Sequence, residues 1–140
     1  MYLLHRVFCS PPAELQEERS AFFNAVGDFN QEQGIQNGIL FVPVAASSAL
    51  RAVAPGDVRA NIRECRHYIE VLPAGAADPT NNPQLCYDFA VRCCADADLP
   101  MREVVVLRSE QFENLTEFRS RIHEFLSRWL AALVAQSASA

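Results

Sequence analysis

Ser10, Arg19, Asp78, Asn82, Tyr87 and Asp88 are the residues best equipped to hold a small polar ligand. Ser10 follows an apolar run, so its hydroxyl either caps the next helix or contacts a ligand. Arg19 follows Glu14, Glu17 and Glu18. It either belongs to a solvated helix face or turns back to meet an anion, for which a guanidinium fork is well shaped. Asp78, Asn81 and Asn82 lie in a turn-rich stretch, with Tyr87 and Asp88 just beyond it. Cys86 falls near a predicted helix start, where a thiolate is favoured, but no histidine lies near it in sequence to act as base. Arg108 ends a predicted strand and suits either a phosphate or plain solvent.

Other chemistry is excluded. All twelve basic residues are arginine, so Schiff-base chemistry and a P-loop lysine are ruled out. There is no G-x-G-x-x-G, G-x-S-x-G or Walker pattern. His5, His67 and His123 are far apart, without metal spacing, and His5 falls in or beside a strand. The five cysteines (Cys9, Cys65, Cys86, Cys93 and Cys94) show no C-x-x-C spacing. They read as reduced thiols of a reducing, cytoplasmic compartment. A net charge of −5 disfavours nucleic acid and anionic membrane. The start of the chain is charged too soon for a signal peptide, and no apolar run approaches the ~20 residues of a membrane span.

The elements that must position these residues alternate in type. Residues 2–9 read as a strand, stopped by Pro11-Pro12. A helix follows to about Gln33, with Leu15, Phe22, Val26 and Phe29 on one face and Gly34 at its end. Asn37-Gly38 makes a turn and residues 39–44 a buried strand. Residues 45–56 have no clear pattern and leave room for a further element. Asp57 caps a helix to about Cys65, and residues 68–72 form a third strand. Residues 73–83 are a loop, and a helix runs to about Ala95 with Pro83 in its first turn. Residues 103–108 are the clearest strand. The last helix covers about 114–135, with Leu115, Phe118, Ile122, Phe125, Trp129 and Leu133 inward, and residues 137–140 trail off.

A chain of 140 residues with half of them hydrophobic can bury one core. The order β-α-β-(α)-β-α-β-α predicts a single α/β domain over residues 1–136. It is flavodoxin-like, with a parallel sheet of four strands, or five if 45–56 supplies one, in the order 2-1-3-4. Ligands of such sheets sit beyond the carboxyl ends of the strands, where the strand order reverses. Here that is the crevice between strands one and three, flanked by Ser10 and the loop 73–82. The sequence assigns no cofactor, and the loops lack the Ser/Thr-rich phosphate cradle a flavin needs.

The run Val7-Phe8-Cys9-Ser10-Pro11-Pro12-Ala13-Glu14-Leu15-Gln16-Glu17-Glu18-Arg19 resembles the opening of a bacterial TIR-like family: a strand, a serine, then a helix with a D/E-L-x-x-E-R run. Asn61-Ile62-Arg63-Glu64-Cys65 resembles the short helix before that family's third strand. The resemblance implies a TIR-like fold related to nucleoside deoxyribosyltransferases. It also implies a signalling or interaction domain with a nucleotide or protein partner, a reading that self-association as a homodimer through a helix face would support. Catalytic relatives carry a glutamate early in the helix after strand three, which acts at the N-glycosidic carbon of a ribose. The matching position here is Cys86, and Asp88, two residues on, is the one acid in that helix able to substitute. Arg66-His67 also stand where the family has an acid. The resemblance therefore implies a non-catalytic domain or, alternatively, an N-glycosidase or ribosyltransferase acting on NAD or a nucleoside through Asp88.

Overall fold

The computed structural model describes residues 2–10, 16–45, 55–72 and 87–138. Asp78, Asn82, Cys86 and the stretch considered for a fifth strand lie outside them. The described chain contains strands β1 (Leu3–Ser10), β2 (Ile39–Ala45), β3 (His67–Leu72) and β4 (Glu103–Arg108), and helices α1 (Gln16–Phe29), α2 (Pro55–Arg63), α3 (Tyr87–Ala95) and α4 (Leu115–Ala138). The four strands form one parallel sheet in the order β2-β1-β3-β4, flanked by helices as in a flavodoxin-like three-layer fold. Among the described residues no helix is long and apolar enough to cross a membrane.

Each layer follows from side-chain alternation along the strands. Val7, Cys9, Ile39, Phe41, Ile69, Val71 and Leu107 point to one face and pack under α1 and α4 through Phe22, Val26, Phe29, Phe118, Ile122, Leu126 and Trp129. Phe8 and Tyr68 point to the other, toward α2 and α3, with Ile62, Ala90, Cys93 and Met101. All six residues of β3 are buried, as expected of a central strand covered on both faces. Pro43 is tolerated because β2 is an edge strand, where a missing N–H costs no ladder bond.

Two local features differ from the sequence expectation. The first helix does not end at Gly34. It passes through a wider π turn at Asn30–Gly34 and a last α turn at Ile35–Asn37. Gly38 is its actual end, at φ 71° and ψ 20°, the left-handed conformation that glycine adopts at least cost. The π turn has two visible causes. The Asn30 side chain bonds the backbone of Phe41 twice, accepting from its N–H and donating to its carbonyl, both at 2.9 Å. Gly34 lies so close to β2 that a Cβ there would stand 2.5 Å from the Ile39 carbonyl oxygen. Asp57 lies within α2 instead of capping it, because that helix already begins at Pro55.

The end of α4 is defined by side chains: Asn114 Oδ1 accepts from the Glu117 N–H and Glu117 Oε2 from the Glu113 N–H, both at 2.9 Å. At the other end, α4 extends past the expected 135 to Ala138.

Candidate functional site

β1 is the first strand of the chain and sits inside the sheet, so the strand order reverses between β1 and β3. Ser10 and Glu70 are register partners at the carboxyl ends of these two strands. Both point to the α2–α3 face, as do Phe8 and Tyr68, whose rings stack at 5.5 Å. The backbone periodicity of two therefore places Tyr68, Glu70 and Ser10 together at the crevice.

Glu70 is the unusual group. It is fully buried, and it is the lone carboxylate in a strand of otherwise apolar, aromatic and imidazole side chains. The Tyr68 hydroxyl donates to its Oε1 at 2.8 Å, while Oε2 has no hydrogen-bond partner. Burial pushes the carboxyl up to about 7, with hydrogen bonds from Tyr68 and Ser10 pulling in the opposite direction. A carboxyl so placed changes protonation near neutral pH, and its unmet oxygen can accept from a ligand hydroxyl or amide.

Arg19 reaches the same end of β1 from the first turns of α1. Its Nε and Nη2 are buried without a partner. Glu70 and Arg19 both act on the Cys9 thiol, which burial pushes far up, with Glu70 adding to the rise and Arg19 opposing it. Cys9 is thus no nucleophile; its side chain faces the α1–α4 layer, and Glu70 faces the other side of the sheet. One unmet acceptor and two unmet donors, all out of water, are an arrangement that proteins rarely leave uncompensated.

Of the sequence candidates, Ser10 is brought beside Glu70 at this crevice, and Arg19 lies near the same end of β1 on the α1 side. Tyr87, the first residue of α3, is half-buried, and Asp88 beside it is exposed in that helix's first turn. Glu70 and Tyr68 are not among the candidates from sequence. The signal was a single acid in the run His67-Tyr68-Ile69-Glu70-Val71-Leu72, a residue type that is almost never fully buried without a reason. Cys65 and Cys93 are buried free thiols, and Cys94 is a half-buried one.

A second concavity of about 430 Å³ opens between α1 and α4, lined by Asp28, Glu32, Arg119, His123 and Glu124 among others. Several of its charges answer one another across the groove or along the helix. Glu32 Oε2 stands 3.8 Å from His123 Nε2, and Arg121 beside it pairs with Glu124 at 3.3 Å. Among the described residues no group of acidic, histidine and cysteine side chains is arranged to hold a metal. Neither a scan against protein-family models nor a search of curated proteins finds a match to this chain.

Proposed function

We propose that this chain is a TIR-like signalling or interaction domain that binds a nucleotide in the crevice between β1 and β3. The observation that carries this reading is that two groups near the carboxyl end of β1 are left unmet, Glu70 Oε2 and Arg19 Nε and Nη2. A nucleotide answers both: its phosphate takes the guanidinium, and a ribose hydroxyl donates to the carboxylate. The free thiols suit a reducing, cytoplasmic setting. Calorimetric titration with AMP and NAD tests the reading. Arg19→Gln is expected to weaken binding at least about 10-fold, the loss of one charge-assisted contact. Unchanged affinity in that variant would remove Arg19 from the site.

One observation favours a second reading, an N-glycosidase or ribosyltransferase acting on NAD or a nucleoside. The glutamate missing from the helix after β3 has a counterpart in β3 itself, since Glu70 lies at the crevice with its carboxyl pushed up to about 7. As an anion it would stabilise positive charge developing at the anomeric carbon while water replaces the departing base. This reading predicts free base released from NAD by the wild type and none by Glu70→Gln. Asp88→Asn separates the two acids: turnover lost there alone would return the role to Asp88.

A further inference from the structure

We propose that the amino-terminal end of the sheet, opposite the crevice, docks an acidic, β-prone segment of a partner protein beside the unpaired edge of β1. The register of the sheet exposes that edge. β1 pairs with β2 from Leu3 onward, but with β3 only from Val7. The Arg66 N–H bonds the Arg6 carbonyl at 2.8 Å and closes the ladder there, so among the described residues the stretch 3–5 has a strand on one side only. An unpaired edge is a template for another extended segment.

The side chains around this edge specify the segment. Tyr2, Leu3 and Leu4 are 48%, 52% and 63% exposed, three consecutive large apolar residues on the surface. Beside them stand Arg66 and Arg102. Arg66 reaches the Gln136 amide oxygen at 3.4 Å, and the Arg102 guanidinium donates to the carbonyls of Leu99 and Met101. Among the described residues neither has a carboxylate partner. The nearby acids are already engaged, Glu64 with Arg6 and Glu103 with Arg128 and Trp129. Burial first, then Arg102, lowers the Arg66 pKa below its usual value, and Arg66 in turn adds to burial in lowering that of His5. The chain carries −5 overall, yet this end is a cluster of like positive charges that an incoming carboxylate would relieve.

A second copy is the wrong occupant. Symmetric pairing of two β1 edges would set the same arginines against each other. A segment with apolar residues between acids satisfies both the exposed leucines and the arginines.

The test uses a fluorescent peptide, Asp-Val-Ile-Val-Asp with blocked ends, its analogue with lysine in place of both acids, and vesicles of phosphatidylcholine with phosphatidylserine. The acidic peptide is expected to bind at least 10-fold tighter than the lysine analogue and to slow amide exchange at residue 4, whose N–H faces the open edge. Leu4→Glu and Arg66→Glu each cut binding at least 10-fold, while circular dichroism and urea unfolding report that the fold is intact. Equal binding of both peptides, or no acidic-peptide binding at millimolar concentration, would overturn the proposal. Vesicle binding lost in the same variants, without peptide binding, would overturn it in favour of a membrane.

Discussion

At residue 70 a buried carboxyl group has one oxygen bonded by the Tyr68 hydroxyl and the other unmet. The folded chain holds Glu70's proton up to about pH 7, against an ordinary value of 4.5. Between those values the folded state carries the extra proton, so this group's contribution to stability falls as pH rises. His67 does the reverse. Stacked on Trp129 at 4.0 Å and buried, it is pushed down to about 3, chiefly by desolvation and further by Arg66. The unfolded chain protonates it first, so its contribution falls as pH drops below about 6.5. In the range both share, the two slopes oppose each other. Glu70→Gln removes one of them. Urea unfolding should show the variant gaining on the wild type by up to about 1.4 kcal/mol per pH unit between roughly pH 4.5 and 7, with no further gain above. A difference that stays flat across that range would mean Glu70 titrates normally. The proposed nucleotide site adds a pH prediction: the unmet Oε2 of an anionic Glu70 accepts from a ribose hydroxyl, so affinity should rise from pH 6 to 8 in the wild type and lose that rise in Glu70→Gln.

The π turn shows how an element is fitted to its neighbour. Asn30 reads as an ordinary helical residue until β2 is placed beside it, where it makes two backbone bonds to Phe41. Asn30→Ala leaves a buried N–H and carbonyl without that partner and should cost about 1–3 kcal/mol. Gly34→Ala drives a methyl against the Ile39 carbonyl oxygen, which is backbone and cannot swing away. A loss of the same order is expected, about 1–3 kcal/mol. Thermal or urea unfolding of both variants checks this, and a neutral Gly34→Ala would show that β2 can shift. These long-range fits explain what could and could not be read from the chain. Val104-Val105-Val106-Leu107 and the stripe Phe118, Ile122 and Trp129 declare strand and helix through local periodicity alone, and β4 falls on residues 103–108 as expected. Gly34 looked like a helix end because glycine commonly serves there. Its actual role, close approach to a strand, is invisible before the sheet exists. Glu70 was hidden for the same reason: alternation places it beside Ser10 only once β1 and β3 are paired.

The sheet gives the molecule two unlike ends. Near its carboxyl end a buried acid of β3 and two buried guanidinium nitrogens of α1's Arg19 are left without full partners. At its amino end an open strand edge is bordered by arginines and exposed leucines. A domain that senses a small molecule at one end and presents a docking edge at the other suits the signalling reading, and the central strand β1 runs through both. The most direct test of the account is a backbone amide NMR titration of the whole chain with AMP. The account predicts saturable shifts that cluster at Ser10, Arg19 and Glu70, leave residues 3–5 unmoved and disappear in the Arg19→Gln, Glu70→Gln double variant. Shifts that cluster instead along the α1–α4 groove around Glu32 and His123, or that persist in the double variant, would contradict it.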